Sequence, residues 1–271
     1  MFLLRTNKQM MVVVEQVAAA AVDVTSFITE SSASNQAKKT ASLLKTLSVN
    51  ALIMGESGVG KRTLASFILP DTSIVDASNF DELLVALESS KELIIINIDN
   101  SPNLSRLVQM IKEKQVRVIA TAKQSFENEL IDDLFSVKFD IPPLREREED
   151  VSFLVEKFAK EAAELFGGNE SFNTQNFKAD LSRNADSLRR QVMINYLLQD
   201  IQDSELMEII ENYLYDKLGS NSDYRNFLYL YEVPLIRAGL KKFKSQLQLS
   251  DKLGLNRNTL RKKISENKQY L

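Results

Sequence analysis

The sequence predicts an α/β fold, a parallel sheet between layers of helix, followed by helical units that run to the C-terminus. Three observations carry that expectation. Short apolar runs alternate with stretches of helical period through the first half of the chain, as strands buried on both faces do. One of those runs opens into a glycine-rich turn and then a helix-forming stretch, Ala51-Leu52-Ile53-Met54-Gly55-Glu56-Ser57-Gly58-Val59-Gly60-Lys61-Arg62-Thr63. From Glu148 onward the period is helical throughout, and Ile141-Pro142-Pro143-Leu144 separates the two regimes because proline cannot continue a helix.

Taken in order, residues 1–21 hold the apolar run Met10-Met11-Val12-Val13-Val14 and four alanines, Ala18 to Ala21. With Glu15 and Asp23 interrupting and no cleavage-site context, this is neither a membrane span nor a signal peptide, and a buried strand or helix is expected. Residues 25–40, rich in Ser, Ala, Asn and Gln, read as a surface segment leading into a helix over 38–47. The sheet region follows: strands over 51–54, 73–76, 93–98 and 116–120, with helices over 80–87 and 104–114 between them. Beyond the prolines, helices are expected over 151–166, 177–181 and 187–198, with a turn at Gly167-Gly168-Asn169. A second helical unit runs over 206–218, breaks at Gly219-Ser220-Asn221-Ser222 and continues over 224–243.

Composition narrows the chemistry. The 271 residues are 44% hydrophobic and 26% charged, enough for one medium domain plus a small one or two, with a real core. There is no cysteine and no histidine. That excludes disulfides, thiolate chemistry, His-ligated metals and a Ser-His-Asp triad, and leaves acid–base or metal work to carboxylates and lysines. The net charge of −3 conceals a division: residues 231–271 carry 10 Lys/Arg against 3 Asp/Glu, or +7, and residues 1–230 carry 24 against 34, or −10. A basic tail on an acidic body points to a nucleic-acid contact at the C-terminal end.

The spacing Gly55-x4-Gly60-Lys61 fits a P-loop, in which glycines let successive backbone N–H groups turn around phosphate oxygens and the lysine reaches the terminal phosphates. With 8 glycines in the chain, such a string arises by chance with a probability of roughly 0.02. The ordinary alternative is a glycine-rich strand-to-helix turn that only packs the fold. The candidate nucleotide-binding residues are Gly55, Glu56, Ser57, Gly58, Val59, Gly60, Lys61, Arg62, Thr63 and Asp99, and the ligand expected is ATP or ADP. Mg²⁺ stays open: Arg62 replaces the hydroxyl that would hold it, and Thr63 is one residue late, about 100° around the helix.

At the other end, residues 247–253, the turn Gly254-Leu255-Asn256 and residues 257–266 have helix-turn-helix dimensions, the second helix capped by Asn256. Leu249, Leu253, Leu255, Leu260 and Ile264 are spaced to pack the two helices together. Arg257, Asn258 and Arg261 are then the candidates for reading bases in double-stranded DNA, with Thr259, Lys262 and Lys263 on phosphate. A solvated basic helix is the bland alternative.

Three stretches together, Gly55 to Lys61, Pro142-Pro143-Leu144-Arg145-Glu146-Arg147-Glu148-Glu149-Asp150 and Leu255-Asn256-Arg257-Asn258-Thr259-Leu260-Arg261-Lys262-Lys263, resemble the bacterial enhancer-binding activators of sigma-54. The resemblance implies an NtrC-type α/β AAA+ domain with a helical lid, joined to an all-α Fis-type helix-turn-helix domain. Its parts would be an N-terminal segment over 1–33, a degenerate AAA+ subdomain over 34–141, the lid over 142–202 and a DNA-binding and dimerisation domain over 203–271. A homodimer would form through the helices over 206–218 and 224–243, where Leu228, Tyr231, Leu235 and Ala238 make a stripe that a monomeric core would also use. About 30 residues before the AAA+ part leave no room for a conventional sensory domain.

The departures from that family are specific. No glycine lies between Lys61 and Asp99, so the family's Gly-Ala-Phe-Thr-Gly-Ala loop is missing and contact with a sigma-54 polymerase is not expected. Where the family's Asp-Glu would hold Mg²⁺ and polarise water stands Asp99-Asn100 or, in a register two residues earlier, Asn97-Ile98, and neither register supplies a catalytic glutamate. No arginine lies between Arg117 and Arg145, where the family keeps its arginine fingers; Lys123 stands in for the sensor asparagine and Asp186 for the sensor-2 arginine, with Arg189 and Arg190 one turn on. The expected function is a cytoplasmic, bacterial, sequence-specific transcriptional regulator without ATP hydrolysis. The alternatives are an active AAA+ ATPase remodelling another partner, and an architectural DNA-binding protein.

Overall fold

Ala51, Leu52 and Ile53 have no accessible surface, and a strand buried on both faces belongs in the middle of a layered fold. In the computed structural model, which describes residues 27–166, 172, 177–243 and 245–271, they form β1 (Ala51–Met54). The chain divides into two units, which meet in sequence between Gln202 and Asp203.

In the first unit β1 is joined by β2 (Ile74–Asp76), β3 (Glu92–Ile96), β4 (Arg117–Ala122) and β5 (Val137–Asp140) in a five-stranded sheet of order β2-β3-β4-β1-β5. All its pairings are parallel, Leu52 lying between Ala120 and Lys138. Alternation along the strands sorts side chains to two cores. Leu52, Leu93, Ile95, Val118 and Ala120 face α3 (Phe80–Ser89), α4 (Leu104–Lys114) and α5 (Glu129–Leu134). Ala51, Ile53, Ile94 and Ile119 face α1 (Ser32–Leu44) and α2 (Lys61–Ile68). Two residues, Ser90 and Lys91, connect α3 to β3.

A helical lid follows the prolines. In it α6 (Glu148–Phe166) and α7 (Asn184–Leu198) pack through Val155, Phe158, Ala159, Leu188 and Val192, with Leu144 against them. Glu148, Glu149 and Asp150 in the first turn of α6 complement the positive end of its dipole.

Several elements differ from the sequence expectation. The helix read over 38–47 begins at Ser32, because the Ser31 hydroxyl accepts the Ser34 N–H at 3.1 Å and starts the ladder early. The strand read over 93–98 ends at Ile96, where Asn97 enters the left-handed region at φ 55° and a 3₁₀ turn, Ile98–Asn100, follows. The helix read over 177–181 is absent. There, Gln191 Oε1 accepts the Asp180 N–H at 2.7 Å and the Ser187 hydroxyl donates to the Asp180 carbonyl at 2.8 Å, so α7 side chains take up backbone groups that a helix would use. Neither α5 nor β5 was foreseen. The strand or helix expected over 1–21 and the turn at Gly167-Gly168-Asn169 lie outside the described residues.

The second unit is helical: α8 (Asp203–Tyr215), α9 (Asp223–Phe227), α10 (Tyr229–Lys242), α11 (Gln246–Leu253) and α12 (Arg257–Glu266). The single helix expected over 224–243 is interrupted at Leu228. Pro234, inside α10, has no N–H for the Leu230 carbonyl and so weakens the ladder beside that break. Ile236, Leu249 and Leu260 make the core, with Phe243, Leu253, Leu255 and Ile264 around them. No described helix is long and apolar enough to cross a membrane.

Candidate functional site

The cleft lies at the carboxyl ends of β1, β3 and β4, where an open parallel sheet presents its loops. Its volume is about 840 Å³. The loop between Met54 and Lys61 forms its floor. Gly58 and Gly60 hold φ of 75° and 100°, and a Cβ on Gly58 would lie 2.4 Å from the Arg183 carbonyl oxygen. Only glycine meets both demands. Among the described residues, no backbone carbonyl accepts from the N–H groups of Gly58, Gly60 or Lys61. The loop runs directly into the start of α2, where backbone N–H groups can take an oxyanion.

Lys61 is turned back. Its Nζ donates to the carbonyls of Gly55 at 2.6 Å and Glu56 at 2.7 Å. Burial lowers the ammonium pKa, while Asp99, Asp186 and Glu56 pull the other way. Arg62 is exposed and Thr63 half-buried, and both line the cleft. Asp99 sits in the 3₁₀ turn after β3 with 7% of its side chain exposed; its Oδ1 accepts the Lys123 N–H at 3.2 Å, and Lys123 Nζ stands 3.7 Å from its Oδ2. Val59 is buried in the core beneath the loop.

The lid meets this loop chiefly through Asn184, Ala185 and Arg145, to which sequence reasoning assigned no role. Asn184, at φ 52° and 1% exposed, donates through Nδ2 to the Ser57 carbonyl at 2.9 Å and to Glu56 Oε2 at 3.0 Å. Its Oδ1 accepts the Leu144 N–H at 2.7 Å, and the Ala185 N–H donates to the Gly58 carbonyl at 3.1 Å. Arg145 donates in bidentate fashion to Glu56 at 2.6 and 2.9 Å, and with Asn184 it holds that carboxyl well below the usual glutamate range. Asp186 stands over the loop, its Oδ2 accepting from the Ser57 hydroxyl at 3.3 Å. Arg189 is committed to Glu161 at 2.5 and 2.9 Å, and Arg190 is exposed at the cleft wall.

A buried clasp ties the segment before α1 to the same place. Asp150, with no accessible surface, accepts from the N–H groups of Glu30 and Ser31 and from the hydroxyls of Ser31 and Ser34, all within 3.1 Å. It also pairs with Arg147 at 3.2 Å, and Arg147 Nη2 donates to the Val59 carbonyl at 3.1 Å. Phe27 lies against Gly60, where a Cβ would approach its ring to 2.8 Å. The dense charge string after Pro142-Pro143 was the only sequence signal for these contacts.

In the second unit Arg257, Asn258, Thr259, Arg261 and Lys262 are exposed on α12. Asn256 caps that helix, its Oδ1 accepting the Asn258 N–H at 2.8 Å. Lys263, expected on phosphate, is half-buried and ion-paired with Glu232 of α10. Sequence spacing could not reveal that pairing.

The chain superimposes on NtrX from Brucella abortus in complex with ATP at TM-score 0.56 and 18% identity, over 96% of this chain and 72% of that one. Its ADP complex gives 0.57 and 19% over the same shares. The α/β unit has the AAA+ fold. Over 200 residues the chain is 28% identical to the DNA-binding transcriptional regulator NtrC of Rhizobium meliloti, covering 56% of this chain and 41% of that protein. It thus spans about two fifths of that relative's length. No protein-family model matches it.

Proposed function

We propose that the chain is a cytoplasmic, bacterial, NtrC-like transcriptional regulator that binds specific double-stranded DNA sites as a homodimer. Its AAA+ part takes ATP or ADP without turning it over and does not engage a sigma-54 polymerase. The observation that carries this is the outward basic face of α12, Arg257 to Lys262, whose exposed N-terminal residues support a reading of α12 as a major-groove recognition helix of the Fis type. The NtrC relative, a DNA-binding transcriptional regulator, supports it. The ATP and ADP complexes of NtrX support the ligand.

Loss of turnover rests on the cleft. Asp99 faces Lys123, Asn100 follows it where a catalytic glutamate would polarise water, and Asp186 brings negative charge to the loop. The two-residue connection between α3 and β3 offers no sigma-contacting loop.

Selection of binding sites from random duplexes is expected to return a two-fold consensus. Arg261→Ala is expected to weaken binding at particular bases by about 1–3 kcal/mol, and Lys262→Ala to weaken all sequences alike and reduce the salt slope by about one. Unchanged affinity in both variants overturns the assignment, and selection without a consensus favours an architectural role. The intact contact of lid and loop favours a second reading, an active ATPase; phosphate release well above a Lys61→Ala control would establish it.

A further inference from the structure

Magnesium held beside a nucleotide takes oxygen ligands in near-octahedral array, and the protein's share in a P-loop site is a hydroxyl after the lysine and a carboxylate at a strand end. The residues here do not fit that ion. Arg62 puts a guanidinium where the hydroxyl would be, and Thr63 is displaced around α2. Asp99, the carboxylate of the cleft, is nearly buried; one oxygen accepts the Lys123 N–H at 3.2 Å and the other has the Lys123 ammonium 3.7 Å away. Among the described residues, no group of three carboxylates is placed to hold a metal ion.

Positive charge is nonetheless present. Lys61, Arg62 and Lys123 all line the cleft beside the glycine loop. Lys123 is 69% exposed on its side chain, so it can turn from Asp99 to an incoming anion without loss of buried structure. Negative charge bears on Lys61, the residue that reaches terminal phosphates, from Asp99 first and then from Asp186, which stands over the loop.

We propose that the cleft binds a nucleoside diphosphate free of divalent cation, with Lys123 and Arg62 taking the metal's electrostatic place and Asp186 disfavouring a further phosphate. This rests on the nucleotide reading above and specifies its ligand. The cations that would neutralise the phosphates are side chains, fixed in number, and the additional charge of a triphosphate falls next to a carboxylate.

Calorimetric titration of the full chain with ADP and with ATP, each in excess magnesium and in EDTA, tests it. ADP is expected to bind in EDTA, with magnesium leaving the affinity unchanged or lowering it, and ATP in EDTA is expected to bind about tenfold more weakly, the worth of one charged contact. Lys123→Ala, at an exposed position, is expected to lose about tenfold of ADP affinity in EDTA and to recover part of it with magnesium, since Asp99 is then released. Asp186→Asn is expected to narrow the gap between ADP and ATP. ADP binding that requires magnesium in the unaltered protein, or Lys123→Ala indistinguishable from it, overturns the inference and leaves the nucleotide reading standing. No binding of either nucleotide under any condition overturns both.

Discussion

Glu56 shows how much one side chain of the cleft depends on residues far away in sequence. Its carboxylate takes two bonds from Arg145 and one from Asn184, 128 positions on, and these hold its pKa down to about 2 from an ordinary 4.5. A carboxylate whose pKa is lowered on folding stabilises the protein above its unfolded value and loses that effect as pH falls toward the folded value. Glu56→Gln is therefore expected to lower the urea midpoint at neutral pH, and the gap from the unaltered protein to close as pH falls from 4.5 to about 2. Denaturation curves at a series of pH values check this. Asn184 has no charge to titrate, yet it closes three bonds at a left-handed residue, a conformation that asparagine tolerates better than most.

Among the elements, α10 and α11 approach closely because Gly239 has no side chain; a Cβ there would fall 2.2 Å from Leu249 Cδ1. Leu249 is fully buried in one cluster with Ile236 and Leu260. Gly239→Val is expected to cost about 1–3 kcal/mol through overpacking. Faster hydrogen exchange in residues 246–266 would register it. Elements with strong local signals were legible in the sequence: β1 with its loop, α4 at Leu104–Lys114 and α12 at Arg257–Glu266, where cap and spacing agree. Residues 177–181 were misread because Phe177 and Leu181 have helical spacing but reach the lid core from an irregular segment. The edge strand β5 escaped because four residues, half of them charged, give little pattern. In the cleft, the cradle announced itself through the spacing of its glycines. The roles of Asn184, Arg145, Arg147 and Asp150 did not, since each exists only through contacts between segments far apart in the sequence.

At the scale of the whole molecule, α8 has no buried residue, and Leu206 and Ile210 lie one turn apart on it at 45% and 40% exposure. On α10, Tyr231, Leu235 and Ala238 are likewise exposed, whereas Val233, Ile236 and Gly239 face inward. Of the stripe that spacing alone left ambiguous, Tyr231, Leu235 and Ala238 thus lie outside the monomer's core, which supports their use between two copies, whereas Leu228 is half-buried at the break before α10. Ile210→Glu is expected to shift a dimer to monomer in sedimentation equilibrium and to weaken binding to a paired half-site far more than to a single one. The Asp150 clasp has a consequence at this scale too. From Ser31, one carboxylate and one guanidinium lead directly to the Val59 carbonyl in the phosphate loop, and Phe27 rests on the next residue. Tension applied to the chain ahead of α1 therefore has a two-link lever onto the cradle, stiff because every joint in it is sealed from water.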